Sequence, residues 1–378
     1  MQVAQVTLSS SQNMSAELES LKALAPNLVL VFSSIDLLKS VVAPLATLFP
    51  SATRAGCSTA GEISRAGVSD GTCVVTAVRF DKTRMMASST RLMGMEDSHS
   101  AGQRLGKQLP KEGLRAVLVL GQGVAINGSS LIAGMAEVLG SSVPITGGLA
   151  GDAAAFRETW VLDNTGVHND SLVCLGFYGE ALSFSHGSFG GWSPFGPTRK
   201  VTRCDNNVLF ELDGEPALDI YKRYLGDHAK DLPASGLLFP FAMLGSDHTE
   251  VGLIRTILGV DGQAGSLTLA GDIDPDGYLR LMHASSDALI DGAEAAAQAA
   301  KTMGTGDGTG LALLVSCVGR KLVMGGRVDE EVEAVGEVFG QGATLTGFYS
   351  NGEISPFTHN AECKLHNQTM TITHISEV

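Results

Sequence analysis

The strongest constraint on this chain is a turn that occurs twice. GCSTAGEI (56 to 63) and GFYSNGEI (347 to 354) both read G-x-x-[ST]-x-G-E-I. Each closes a strand–helix–strand run: NLVLVFSS (27 to 34) and IDLLKSVVAPLATLF before the first, GLALLVSCVGR (310 to 320) and DEEVEAVGEVFG (329 to 340) before the second. Short apolar β-rich runs read as buried strands, and longer periodic segments as helices. Two copies separated by nearly 300 residues far exceed a solenoid period, so the pattern predicts two related halves from an ancient duplication. The same order also recurs between them, in LRAVLVLGQG (114 to 123), SSLIAGMAEVLG (129 to 140) and VPITGGLAGD (143 to 152), which ends in glycines and an acid.

Other segments are read locally. GTCVVTAVRF and RMMASSTRLM (71 to 80, 84 to 93), separated by DKT, fit a β-hairpin. SLVCLGFYGEALSFSHGSFGGWSPFG (171 to 196) holds two strand-like runs and then a glycine-rich loop. A helix is expected over 97 to 109, another opened by Pro216, and a third over 285 to 303 capped by Ser285 or Ser286. Pro44 is expected to kink or restart the first helix, and GTGDGTG (304 to 310) reads as a flexible surface loop. With hairpins outnumbering crossovers, the expected class is mixed α+β, with largely hairpin-rich mixed sheets in two domains, 1–205 and 206–378, enclosing a ligand cleft.

Composition narrows the function. In 378 residues there are 40 Asp and Glu against 26 Lys and Arg, a formal net charge of −14. No basic run is present, which argues against nucleic acid as a partner. The apolar stretches are strand-length, far short of the ~20 residues of a spanning helix, and the start has no secretory pattern. A cytoplasmic protein without membrane contact is expected. The six cysteines form no CxxC pair and are expected to be reduced and mostly buried. HExxH and zinc-spaced Cys/His sets are missing, and GQGVAINGSS (121 to 130) lacks the phosphate-loop pattern, so no enzyme is expected.

Taken together, GCSTAGEI, WSPFGPTRKVT with NNVLFELDGEPAL, SCVGR, GFYSNGEIS and LHNQTM resemble the FIST family of bacterial sensory proteins over almost the whole chain. That resemblance implies an N-terminal and a C-terminal FIST domain and ligand sensing in signal transduction. HGSFGGWSPFG is similar to the nitric-oxide-sensing haemoproteins of the family. This implies haem b, a gaseous ligand, and a partner that is a sensor histidine kinase or a cyclic-di-GMP enzyme. The alternative is a non-haem module for a small polar, amino-acid-like ligand. A homo-oligomer is left open.

Haem on one histidine needs a neutral imidazole, an apolar slot and an open distal face. By local environment, His186 is the first candidate for the iron, flanked by Phe184, Phe189 and Trp192, with a loop histidine in an aromatic turn as the other reading; His283 is the runner-up. His99, His228 and His248 read as solvated, and His168, His359, His366 and His374 as turn or edge-strand residues, with His366 a structural hydrogen-bonder. Arg320 would grip a haem propionate or a ligand carboxylate, or else pair with Glu353 or another acid. Glu62 and Glu353 would either hold a ligand amine, assisted by Thr59, Ser350 and Asn351, or accept backbone N–H bonds and fix their own loops. Cys57 and Cys317, each three residues from an arginine, are weighed as a haem-ligating thiolate or a nucleophile against inert buried thiols.

Overall fold

The computed structural model describes residues 1–305, 308–356 and 362–378. His359 and part of the 304 to 310 loop lie outside them. The class is mixed α+β as expected, with helices packed on mixed sheets. Among the described residues, no helix is long and apolar enough to cross a membrane.

Three sheets share one plan. Each has a central parallel pair joined by a helical crossover: Leu28–Ser33 with Thr53–Ser58, Leu114–Gly121 with Ile145–Leu149, and Gly310–Cys317 with Ala343–Ser350. On one flank lies an antiparallel strand and then an edge strand; on the other flank lies a two-stranded hairpin. The strand–helix–strand unit is therefore built three times, with units running over 2 to 79, 84 to 178 and 182 to 377. The register glycines are equivalent. Gly56, Gly147 and Gly347 each stand so close to the neighbouring strand that a Cβ would fall 2.1, 1.9 and 1.9 Å from the carbonyl oxygens of Val31, Val119 and Leu314.

The hairpins are exchanged in a ring. The 62 to 69 hairpin of the first unit pairs with Ala343–Ser350 of the third. The 161 to 168 hairpin of the second pairs with Thr53–Ser58 of the first, and the 352 to 366 hairpin of the third pairs with Ile145–Leu149 of the second. Where they cross, three backbone hydrogen bonds close a cycle: Ala60 N–H to Tyr349 O at 2.8 Å, Gly151 N–H to Ser58 O at 2.9 Å, and Asn351 N–H to Leu149 O at 3.1 Å.

Side-chain alternation explains the layering. Leu30 and Phe32, Leu118 and Leu120, and Leu313 and Val315 point into one central core, where Phe32 stacks on Phe348 with ring centroids 4.7 Å apart. Val29 and Val31, Val117 and Val119, and Ala312 and Leu314 face outward beneath the helices of their own units. Both faces are apolar, which is why these strands read as unbroken hydrophobic runs.

The structure corrects the local hairpin reading. Cys73–Arg79 is enclosed by Gln2–Leu8 and Leu28–Ser33, so no edge is left for Arg84–Arg91, which pairs with Ser171–Tyr178 in another sheet. Ser171–Tyr178 and Leu182–Phe189 likewise part into two sheets. Helices Ser98–Lys107, Ala217–Leu225 and Ser286–Met303 lie where expected, the last capped by Ser285 Oγ accepting from Ala288 N–H at 3.2 Å. Helix Ile35–Leu48 continues past Pro44 without a break.

Residues 193 to 283 form a lobe inserted into the third unit. It has its own eight-stranded sheet and its own core around Tyr221, Leu209 and Leu267. Polar contacts among the described residues hold it to the body, including Arg255 Nη1 to Leu365 O at 3.2 Å, Gln368 Nε2 to Leu237 O at 2.9 Å, and Asn127 Nδ2 to Asp272 Oδ1 at 3.0 Å.

Candidate functional site

The two Gly-Glu turns do converge, and the cyclic hydrogen bonds above show what they converge on: each other. Glu62 is 1% exposed, accepting from Thr59 Oγ1 and from the Thr72 N–H and hydroxyl at 2.9 and 2.8 Å. Glu353 is fully buried, accepting from Ser350 Oγ at 2.7 Å and from the Thr369 N–H and hydroxyl at 3.2 and 3.0 Å. The two arrangements are copies, Thr59–Glu62–Thr72 matching Ser350–Glu353–Thr369. Of the two roles weighed for them, the geometry gives both carboxylates the loop-fixing one. Burial pushes both carboxyls up, that of Glu353 to about 8, against the pull of these donors. Asn351 spends its Nδ2 on Gly123 O at 3.1 Å.

Beside the ring lies a cleft of about 710 Å³ to which all three units contribute. The first supplies Ser34 to Asp36 at the start of helix Ile35–Leu48, the Gly61–Glu62 turn and Asp70. The second supplies Asp152 to Ala154. The third supplies Val318, Lys321 and Leu322. The second unit's wall is a strained backbone: Ala153 and Ala154 have φ of +54° and +65°, held because the buried Asp152 carboxylate accepts the N–H groups of Phe156, Arg157 and Glu158 at 2.7 to 3.0 Å. Non-glycine residues in that region cost about 1–3 kcal/mol each and cluster at functional sites.

Lys321 is the cation of this cleft. Its side chain is 17% exposed; Nζ donates to Ala60 O at 2.8 Å and pairs with Asp70. Glycine at 61 makes room for it, since a Cβ there would sit 2.5 Å from Nζ at a φ of +142°. Asp36, exposed in the first turn of its helix, lies on the wall formed by the first unit. Opposed charges beside a helix N-terminus suit a small ligand bearing both a carboxylate and an ammonium. Lys321 and Asp36 escaped the sequence reading. Lys321 follows Arg320 in SCVGRK, and only the crossing of the units brings it to Gly61.

The other expected residues fall elsewhere. Arg320 is wholly buried, paired with Glu331 at 2.8 Å and donating to Leu289 O at 2.8 Å and to Gly190 O. Its partner is therefore Glu331, not Glu353 or a ligand. His186 lies inside strand Leu182–Phe189 opposite Thr373 and is 4% exposed. A Cβ on Gly187 would meet Ala296 O of the packed helix at 2.1 Å, so His186 points to the other side, toward the central core, as does Phe184, packed 6.1 Å from Phe177. These surroundings do not fit a haem, because no open face lies beside that imidazole. His283 is exposed, edge-on to Phe195 at 5.8 Å. Among the described residues, no group of three or more His, Cys, Asp or Glu is arranged to hold a metal ion.

Phe189 and Trp192 do share a second cleft, of about 300 Å³, between body and lobe, with His366 rather than His186 beside them. His366 bonds Ser355 O through Nε2 at 2.8 Å, the structural role expected of it, and burial lowers its pKa to about 4. Cys57 and Cys317 are buried, and burial drives both thiols up, which suits inert side chains.

Comparison with known proteins gives a model match to the FIST N domain over residues 27–215 and to the FIST C domain over residues 217–356. An uncharacterised protein of Methanocaldococcus jannaschii is 32% identical over 96 residues, 25% of this chain and 19% of that protein, so the chain spans about a fifth of that relative's length. Two solved structures of cyanuric acid hydrolase are similar over nearly the full length. The one from A. caulinodans has 8% identity and a TM-score of 0.37, covering 100% of this chain and 98% of its own. The other has 10% identity and a TM-score of 0.34, covering 99% of both.

Proposed function

This chain belongs to the FIST family, whose domains are sensory ligand-binding modules of signal transduction, and from that premise we propose that it senses a small zwitterionic, amino-acid-like ligand in the cleft beside the ring of turns. The observation that carries the reading is Lys321, paired with Asp70, in a cleft that Asp36 also lines and that all three units wall. The ligand carboxylate replaces Asp70 on the Lys321 ammonium and lies near the first-turn N–H groups of helix Ile35–Leu48; its ammonium turns to Asp36. Freed from Lys321, Asp70 releases the strand–turn segment that precedes Thr72, and the change passes to a signalling partner.

An amino-acid panel screened by thermal shift tests this. A ligand at 100 times its Kd adds about 2.7 kcal/mol of stability. In Lys321→Met, losing one charge-assisted bond weakens binding about ten- to hundredfold; the same affinity in that variant would remove the cleft from the reading. The haem reading rests on the resemblance alone. Protein from haem-supplemented cells showing a Soret band that moves with nitric oxide would displace the zwitterion reading.

A further inference from the structure

The stretch from His186 to Trp192 is not used by the zwitterion site, yet it walls a cleft of its own. Phe189, Trp192, Met243, Leu253, Ile254 and Met282 supply its apolar lining, two from the body and four from the inserted lobe. The Trp192 indole is held by its N–H to Gln368 O at 2.8 Å, so one wall is a fixed flat ring. Phe189 is 52% exposed, a large apolar side chain at the mouth with little to cover it. Met282 is an adaptable partner for an aromatic edge.

A second, independent observation is polar. Ser188 lines the same cleft, and its hydroxyl is buried without a hydrogen-bond partner among the described residues. A buried hydroxyl left unpaired costs about 1–3 kcal/mol, and such an atom calls for a partner that the chain itself does not supply.

We infer that this cleft is a second ligand site, for a small neutral aromatic molecule carrying one hydroxyl. The ring enters beside Trp192 and Met282, and its hydroxyl pairs with Ser188 Oγ. A volume of about 300 Å³ equals about ten waters at ~30 Å³ each, enough for a single substituted ring. Glu250, which also lines the cleft, is already paired with Arg280, so the zwitterion assigned to the other cleft would lose its hydration here without gaining a free counter-charge. The inference does not depend on the zwitterion reading.

Isothermal titration with p-cresol and with toluene on the full chain decides it. The expected result is saturable p-cresol binding, with toluene about two- to tenfold weaker for want of the hydroxyl. In Ser188→Ala that preference collapses toward equal affinities, while the melting temperature shows the variant folded. Met282→Trp, which fills the cleft, abolishes binding of both, and Lys321→Met leaves both unchanged. The absence of saturable p-cresol binding up to its solubility limit overturns the inference. So does a p-cresol preference that survives Ser188→Ala, or binding lost in Lys321→Met.

Discussion

Glu353 shows how one side chain leaves a signature in solution. Its folded pKa is pushed up to about 8 by burial, above the ordinary value of 4.5. Between these values the folded state holds a proton that the unfolded chain has released, so stability falls as pH rises through this window and the contribution is gone above 8. His366 acts in the opposite direction: with a folded pKa of about 4 against 6.5, it makes stability rise between pH 4 and 6.5. The two oppose each other below pH 6.5, so in the window from 6.5 to 8 the opposition of His366 is gone. Urea melts there are expected to lose up to about 1.4 kcal/mol per pH unit, and Glu353→Gln to flatten the slope. An unchanged slope in that variant would assign the effect to another group. The sequence made Glu62 and Glu353 visible because both follow the same G-x-x-[ST]-x-G frame. It hid their third counterpart because the acid there, Asp152, comes one residue earlier and reaches forward to Phe156, Arg157 and Glu158 instead of back to a hydroxyl.

Among the elements, helix Val318–Met324 is the junction. Arg320 on it binds Glu331 of helix Val328–Phe339, Leu289 O of helix Ser286–Met303 and the Gly190 carbonyl, while its neighbour Lys321 reaches Ala60 and Asp70 of the first unit. Tyr349 and Ser316 complete the Glu331 shell. Arg320→Ala leaves Glu331 a buried charge without its counter-ion and is expected to cost about 3–5 kcal/mol, read as a lower urea midpoint. Arg320→Met with Glu331→Leu removes both charges and is expected to recover most of that loss. Equal losses in the single and double variants would contradict the ion-pair account. Helices and strands were legible from their runs of apolar residues, and Ser285 from its place before one. Strand partners were not, because DKT between two β-rich runs looks like a hairpin when Cys73–Arg79 already has a neighbour on each side. The strand position of His186 was hidden in a glycine-rich stretch, where Gly187 admits helix Ser286–Met303 against the strand.

For the whole molecule, exchanged hairpins make each sheet depend on two units. No unit completes its own six-stranded sheet, so the body is expected to unfold in one step. Trp160, next to the exchanged hairpin of the second unit, and Trp192, at the lobe junction, are the chain's two tryptophans. Single-tryptophan variants, Trp160→Phe and Trp192→Phe, are expected to give superimposable urea transitions. Separated midpoints would mean that the lobe side melts on its own. This architecture was only partly readable, since the threefold order is present in the sequence while the exchange links segments more than 100 residues apart.

A ring assembled from three separate, identical chains would have to repeat every mutation at every corner. Joining the corners in one polypeptide lifts that obligation. Here one corner has Lys321 against Gly61, another a strained alanine pair, and the third an added lobe. Such a scaffold can divide labour between its vertices, taking in one molecule at one and a different molecule at another, with a shared knot of backbone between them.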